Sequence, residues 1–281
     1  MTSRRDLLRA LGASALMPSL ARAALAVPRS TSMPAVGIQL YLTRNLMRAD
    51  PEGTLARIAE LGFAEVEWWG QWNRTPTQLR ATLNTLGLRS PSSHVGLRTL
   101  EPERLPALFE TANIMGHTTV IVASLEPGER ATEDDWKRSA AVLNRAGLAG
   151  AAQGVRVGYH NHGYESARFG ERTGFDILLS ETDPTYVDFQ LDVYWALSGG
   201  QDPLALIRAH RARISSLHLK DAARTPNLTQ VDLGTGIIDW PTIIREGAAA
   251  RVTSMYLDLD DPADVWATAG SARQYLRSLG Y

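Results

Sequence analysis

From residue 36 onwards, short apolar runs alternate with amphipathic runs along the whole chain. The apolar runs are rich in Val, Ile and Leu, which is typical of strands buried in a parallel sheet, and the amphipathic runs have helical spacing. The predicted strands are Val36–Leu40, Ala64–Glu67, Leu88–His94, Thr118–Ala123, a run starting at Gly154, Val187–Leu191, Ile214–Leu219 and Ser254–Leu259. The predicted helices are Thr54–Leu61, Thr77–Leu86, Arg104–Met115, Glu133–Gln153, Phe175–Ser180, Pro203–His210, one beginning at Pro241–Glu246, and Ala263–Leu279.

Eight strand–helix pairs predict an α/β protein, a (β/α)8 TIM barrel in a single domain. The length of 281 residues suits this fold, which uses about 250 residues. A doubly wound open sheet is the alternative. It is disfavoured because no Gly-x-Gly-x-x-Gly follows the first strand, and Gly234-Thr235-Gly236 comes late in the chain.

The first residues have the features of an export signal. Arg4 and Arg5 precede an apolar run from Leu11 to Leu20, and small-residue cleavage sites follow at Ala21–Ala23 and Ala24–Ala26. We therefore expect a twin-arginine signal peptide that is recognised by the Tat export machinery and removed, which predicts a periplasmic protein.

This prediction divides the chain into a signal peptide (residues 1–26), a linker (27–35) and the barrel (36–281). We expect no stable membrane anchor, because the apolar run of the signal is too short to span a bilayer comfortably. The chain has no cysteine, which excludes disulfides and thiolate ligands. Its formal net charge is −1 and no basic patch stands out, so a nucleic-acid partner is not expected. A homo-oligomer is left open.

Histidines concentrate where the predicted strands end. Four of the six fall at or near the ends of strands three, five and seven: His94, His160, His162 and His218. In a (β/α)8 barrel the loops at the carboxyl ends of the strands converge on one mouth, which holds the active site. We therefore expect these four at the active site, whereas His117 and His210 are interpreted as structural or surface residues.

Carboxylates show the same placement: Glu67, Glu165, Asp192 and Asp258. Any single acid is more simply a helix cap or a solvated loop residue. Asp192 is different because Phe189–Trp195 surrounds it with aromatic and aliphatic side chains. A carboxylate in such surroundings needs a partner charge, hydrogen bonds or a metal.

A second polar cluster lies in Ser216–Asp221. Period-two alternation points His218 and Lys220 to the same side of the strand, the barrel interior if His218 is a ligand. Lys137 and Lys220 are the two lysines among 29 basic residues. Because a desolvated lysine can lose its proton, Lys220 is a candidate base. The alternative is that Lys220 is a loop residue that is present by chance and has no function.

The predicted metal site holds one divalent ion between four ligands: Glu165, Asp192, His218 and Asp258. Three hard oxygens and one imidazole suit Mn, Mg, Co or Zn, and ligand type does not choose among them. Such an ion polarises a carbonyl and stabilises an enediolate, the intermediate of ketose isomerisation and epimerisation. The candidate catalytic residues are His160, Glu165, Lys220 and Asp258, with Glu67 as a further candidate base.

A sugar would be bound by polar and aromatic side chains near the strand ends. The candidate substrate-binding residues are Tyr41, Glu67, His94, His162 and Trp195. Aromatic rings suit the apolar faces of a sugar. For each ring taken singly, packing in the core is the alternative interpretation.

These residues and their surroundings resemble the xylose-isomerase-like (β/α)8 superfamily, specifically the exported group usually called sugar phosphate isomerase/epimerase. The resemblance spans essentially the whole mature chain, and the segments that carry it are Ile38–Tyr41, Ser92–Gly96, Tyr159–His162, Leu191–Ala196, His218–Asp221 and Gly234–Gly236.

The resemblance implies a single metal with acid, Asp, His and acid ligands from strands five to eight. Asp192 and His218 match the middle two. Sugar epimerases of the superfamily carry Glu where this chain has His160, and Glu165 is the candidate acid nearby. The last ligand is usually Glu in this group, whereas Asp258 stands here.

We expect a divalent-metal-dependent sugar isomerase or epimerase acting on a small sugar or keto sugar. A phosphorylated substrate is disfavoured because no phosphate-cradling loop is evident. A metal-dependent lyase or dehydratase acting on keto sugars or keto-inositols is the alternative enzyme. A non-catalytic sugar-binding barrel is the alternative outside catalysis.

Overall fold

The computed structural model describes residues 33–224 and 227–281. The predicted signal peptide and residues 27–32 of the predicted linker lie outside these residues, so both remain predictions. Among the described residues, none of the helices combines the length and apolar character that crossing a bilayer requires.

Eight of the strands in the described part of the chain close into a parallel barrel, which confirms the predicted fold. In chain order the strands are β1 Ala35–Gln39, β2 Glu65–Trp68, β3 Arg89–Val95, β4 Thr119–Val122, β5 Arg156–His160, β6 Arg168–Phe169, β7 Arg172–Thr173, β8 Val187–Asp192, β9 Ile214–Leu219, β10 Asp221–Arg224, β11 Leu228–Val231 and β12 Ser254–Leu257. Around the barrel the order is β1, β2, β3, β4, β5, β8, β9 and β12, and β12 pairs with β1.

Helices surround the barrel, as the amphipathic runs predict. They are α1 Arg44–Ala49, α2 Pro51–Leu61, α3 Pro76–Leu86, α4 Leu105–Met115, α5 Glu133–Ala151, α6 Gly174–Glu181, α7 Val193–Ser198, α8 Pro203–Ala209, α9 Trp240–Ala249 and α10 Val265–Ser278. Several begin at a side-chain cap: Thr75 and Thr132 each form a capping box that satisfies free backbone N–H groups.

The elements missing from the prediction are the short ones at the carboxyl ends of the strands. They are α1, α7, the antiparallel hairpins β6–β7 and β10–β11, and 3-10 turns at Leu97–Leu100, Pro127–Glu129 and Tyr164–Ser166. The last barrel strand ends at Leu257, so Asp258 directly follows the strand in which it was expected.

The barrel interior is polar at more than one level, whereas bulky aliphatic side chains usually fill it. Gln190 on β8 reaches across to Glu67 on β2, and Ser92 on β3 reaches Tyr256 on β12. Gly37 on β1 makes room for the Tyr256 ring, since a Cβ there would lie 2.7 Å from its Cδ1 atom. Hydrogen-bonded polar layers therefore lie beneath the mouth.

Candidate active site

Side chains from four neighbouring strands converge at the mouth of the barrel. Two sets of three residues that share His218 bring their ligand atoms within 4.8 Å of one another: Asp192, His218 and Asp258, and His94, His160 and His218. We name as the mouth cluster the four residues joined by the contacts given next: His160, Asp192, His218 and Asp258. Asp192 Oδ2 lies 3.9 Å from both His160 Nε2 and His218 Nδ1, and Asp258 Oδ2 lies 3.2 Å from His218 Nδ1. Because ligands at about 2.0–2.2 Å from one ion lie about 3–4 Å apart, this spacing suits a shared cation.

Two carboxylate oxygens of the mouth cluster have no hydrogen-bond partner within residues 33–224 and 227–281: Asp192 Oδ2 and Asp258 Oδ1. The two residues are 0% and 5% exposed, respectively. A buried carboxylate oxygen without a partner is costly unless a cation compensates it. The Lys220 ammonium, 3.5 Å from Asp192 Oδ2, compensates that oxygen in part, and the lone pairs left over fit a bound divalent ion.

The His218 ring is held in one orientation. Its Nε2–H donates to Glu67 Oε2 at 2.6 Å, so its Nδ1 faces the carboxylates of Asp258 and Asp192. A lone pair opposite two carboxylates is unfavourable, so either a proton or a metal ion must lie at Nδ1. Burial lowers the pKa of His218, but Glu67 and Asp258 outweigh it and raise the pKa to about 10. The site attracts positive charge.

Gln190 orients the neighbouring histidines. Its Oε1 atom lies 2.7 Å from His94 Nε2 and 3.1 Å from His160 Nδ1, while its Nε2 donates to Glu67 and Ser216. The amide oxygen can only accept, so His160 carries its proton on Nδ1 and directs the Nε2 lone pair towards Asp192. Gln190 is not among the residues that the sequence predicts, although it precedes Asp192 by two residues and alternation places both inside the barrel.

Glu67 is a hydrogen-bond hub and not a free base. Its carboxylate accepts hydrogen bonds of 2.6–2.8 Å from four side chains: Gln39, Ser92, Gln190 and His218. Burial would raise the pKa of Glu67, but the imidazoles of His94 and His218 outweigh it and hold the pKa well below its usual range. The structure therefore places this candidate base and substrate-binding residue beneath the mouth cluster, where it orients His218.

Asp192 is held by its own helix and by Asn161. Its Oδ1 accepts the Trp195 N–H at 2.8 Å, which caps α7 and leaves Oδ2 directed at the mouth cluster. The Asn161 amide pairs with the Asp192 backbone in both directions, at 2.8 and 3.2 Å. Burial raises the pKa of Asp192 to about 6, although Lys220 and His218 oppose the shift.

Lys220 lies among three carboxylates. Its Nζ atom is 2.9 Å from Asp258, 2.8 Å from Asp260 and 3.5 Å from Asp192. Burial would lower the pKa of Lys220, but these carboxylates raise it above its ordinary value. Lys220 is thus a cation in this arrangement. A role as base, which rested on desolvation alone, conflicts with the surrounding charges.

A cleft of about 340 Å³ opens above the mouth cluster. Three of the predicted substrate-binding residues line it: Tyr41, His94 and His162. Trp69 and Asp260 also line it, and the Tyr41 and Trp69 rings meet edge to face at 5.1 Å. Trp195 lies close by, with its ring 5.5 Å from that of His162.

Glu165 is not brought together with the mouth cluster. It lies in the 3-10 turn after β5, 2% exposed, and its carboxylate accepts from Tyr159 Oη at 2.6 Å and from His162 N–H at 2.8 Å. Burial raises the pKa of Glu165 to about 7, although these two hydrogen bonds lower it. The residue that β5 contributes to the cluster is His160, because alternation turns His160 inward while Tyr159 packs on Phe189 outside.

Residues 55–272 match the family described as the xylose isomerase-like TIM barrel. This match covers more than half of the chain. The chain belongs to the xylose isomerase-like TIM barrel family.

The proteins that are similar to this chain carry different names. An inosose dehydratase from Geobacillus kaustophilus (strain HTA426) is 29% identical over 188 residues, 59% of this chain and 60% of the relative. The chain therefore matches less than two thirds of that relative's length.

The chain is also similar to solved structures. A sugar phosphate isomerase/epimerase from Parabacteroides distasonis ATCC 8503 has a TM-score of 0.74 and 25% identity, covering 89% of this chain and 95% of that one. The IolI protein, whose structure has a bound zinc atom, has a TM-score of 0.68 and 16% identity, covering 88% and 96%. At that identity the likeness to IolI shows the fold alone.

Proposed function

We propose that this member of the xylose isomerase-like family is a metal-dependent enzyme that removes a proton next to the carbonyl group of a keto sugar or keto-inositol. The mouth cluster carries the proposal, because two of its buried carboxylate oxygens, Asp192 Oδ2 and Asp258 Oδ1, lack hydrogen-bond partners in the described part of the chain, and the cluster holds two imidazoles below an open cleft. The substrate is a small molecule, in keeping with a cleft of about 340 Å³.

The proposed ligands are His160 Nε2, Asp192 Oδ2, His218 Nδ1 and a carboxylate oxygen of Asp258. A divalent ion held there would polarise the substrate carbonyl and stabilise negative charge developing beside it. Glu67 and Gln190 support the site by fixing the protons of His218 and His160 on the ring nitrogens that point away from it. Two nitrogen and two oxygen ligands suit Zn, Mn or Co better than Mg.

The chain's own groups would then move the protons. His162 lines the cleft, and its Nδ1 has no hydrogen-bond partner among the residues described. Burial lowers the pKa of His162 to about 4, so the ring is neutral near pH 7 and can accept a proton. The Lys220 ammonium also lines the cleft and can donate to a substrate oxygen.

These roles suit loss of water in particular. His162 would take the proton from the carbon next to the carbonyl, the C–O bond at the following carbon would break, and the leaving hydroxyl would depart as water with a proton from Lys220. Lys220 would then regain a proton as His162 releases its own through solvent. The likeness to an inosose dehydratase supports placing dehydration first. Isomerisation or epimerisation starts with the same proton removal, and the likeness to a sugar phosphate isomerase/epimerase supports it as the second candidate.

Incubating the metal-loaded protein with keto-inositols and keto sugars in deuterium oxide tests the proposal. We expect deuterium uptake next to the carbonyl and a product lighter by one water, whereas a product of unchanged mass indicates isomerisation. Protein that binds no divalent ion, or that binds the sugar without deuterium uptake, would be a non-catalytic sugar-binding barrel, and the proposal would fail.

We also propose that the protein is exported to the periplasm, on the strength of Arg4, Arg5 and the Ala-x-Ala sites. N-terminal sequencing of protein recovered from the periplasm should find a start near Val27. Replacing both arginines with lysine should retain the precursor in the cytoplasm, and unchanged export of that variant would refute the Tat route.

A further inference from the structure

Glu165 is a buried acid that the proposed chemistry leaves without a role. Its carboxylate lies outside the barrel wall, behind β5, and joins two groups: the hydroxyl of Tyr159 and the backbone N–H of His162. Both contacts are short, at 2.6 and 2.8 Å, and Glu165 is 2% exposed. Hydrogen bonds to a buried carboxylate are charge-assisted and strong, so Glu165 restrains the two groups that donate to it.

The turn that carries Glu165 also carries a partner of the His162 ring. Tyr164 directly precedes Glu165, and its ring stacks on that of His162 with centroids 5.3 Å apart and planes 7° apart. The Tyr164 hydroxyl accepts the N–H of Leu125, which ties the turn to the loop after β4. Anchoring Glu165 therefore fixes both the backbone of His162 and the ring on which it stacks.

Three rings then define the place of the His162 side chain. Tyr164 covers one face, Trp195 lies 5.5 Å away, and His160 of the mouth cluster meets it edge to face at 5.0 Å. The ring lines the cleft, and its Nδ1 lacks a partner among the described residues. This nitrogen is buried, so a ligand in the cleft meets the ring through its other atoms.

We propose that Glu165 is a positioning residue that acts from outside the barrel, holding the ring of His162 against the substrate beside the metal. This inference rests on the proposed function for the identity of the substrate, but not for the contacts. A carboxylate is needed because both of its contacts are donors. A glutamine offers one oxygen acceptor only, so its amide N–H would face another donor, either the Tyr159 hydroxyl or the His162 N–H.

The first test reads the position of the ring without any substrate. Ring-nitrogen NMR spectra of histidine-labelled, zinc-loaded protein would be compared for the native chain, Glu165→Gln and Tyr159→Phe, with the His162 signals assigned by their loss in His162→Gln. We expect both variants to move the His162 signals and to leave those of His117 in place. Glu171→Gln, at an exposed acid nearby, is the matched control and should move neither. Unmoved His162 signals in both variants overturn the proposal.

The second test is a double-mutant cycle on deuterium uptake by a keto-inositol. Glu165→Gln should lower kcat/KM about 10- to 100-fold in the native background, because small displacements of a reacting group are costly, and less than about 2-fold in the His162→Gln background. Equal losses in both backgrounds would show a structural role unrelated to His162 and overturn the proposal. If the native protein takes up no deuterium, the proposed function fails, and the NMR result still decides the role of Glu165.

Discussion

His218 donates a hydrogen bond of 2.6 Å from Nε2 to Oε2 of Glu67, a residue three strands away around the barrel. Glu67 is fully buried, and neighbouring side chains contribute further hydrogen bonds to its carboxylate. The pair fixes which nitrogen of His218 faces Asp192 and Asp258. A carboxylate behind a histidine ligand is a common means of orienting the ring and raising its basicity.

Glu67→Gln should therefore weaken metal binding about 10- to 100-fold while the barrel stays folded, because an amide cannot match the charge opposite His218. Titration calorimetry with Zn²⁺ or Mn²⁺ measures the change. Glu65→Gln is the matched control: it is buried on the same strand two residues earlier, and its partner is Arg89. Equal losses of affinity in both variants would contradict the specific role of Glu67.

The ligand assignment makes a separate prediction. His218→Ala and Asp192→Ala should abolish binding of the divalent ion, because each removes a ligand and leaves its buried neighbours unpaired. His117→Ala and His210→Ala should keep it, since neither residue belongs to the mouth cluster. Metal content after dialysis against a divalent ion gives the answer for all four. A similar loss in every variant would refute the assignment.

How far the sequence predicts this molecule depends on the range of the interactions involved. The barrel follows from period-two and helical patterns, which each segment displays by itself, and each of the eight predicted barrel strands is present. The position of Asp192 and His218 inside the mouth follows from the same alternation. These are local properties.

The partners of those residues are not local. The Glu67–Gln190 contact spans 123 residues of sequence, and no pattern within one strand indicates it. Glu165 shows the opposite difficulty: it lies five residues after His160, yet the 3-10 turn that contains it carries its carboxylate behind the strand. The short turns after the strands therefore decide which acid reaches the mouth cluster, and their geometry has little signature in the sequence.

Gly236 lies in the loop after β11, where the chain folds back onto Asp221 at the start of β10. A Cβ at this position would lie 2.3 Å from both Asp221 Oδ1 and Ala222 O. Asp221 accepts the N–H groups of Gly234 and Gly236, so a displaced chain would lose those hydrogen bonds. Gly236→Ala should cost about 1–3 kcal/mol in the free energy of unfolding, measured by urea denaturation.

Gly270 provides the control for that substitution. It lies within helix α10, where an added Cβ meets nothing within 4 Å. Gly270→Ala should stabilise the protein by about 0.5–1 kcal/mol, because alanine loses less backbone entropy in a helix. If Gly236→Ala were as stable as Gly270→Ala, the close approach at Asp221 would be disproved.

The last prediction concerns stability in acid. His117 is 5% exposed, and its Nδ1–H donates to the Ser90 carbonyl at 2.6 Å. Burial lowers the pKa of His117 from 6.5 to about 4, although the Ser90 bond opposes the shift. As the pH falls from 6.5 to 4, the unfolded chain takes up a proton that the folded chain refuses, so stability is lost across this window and is unaffected above it. The full difference amounts to about 3 kcal/mol.

His117→Asn keeps a donor near Ser90 but cannot titrate, so its free energy of unfolding should fall less between pH 7 and pH 4. Urea denaturation of metal-free protein at both pH values measures the change. An identical pH dependence in His117→Asn and the native chain would show that His117 does not cause the acid sensitivity.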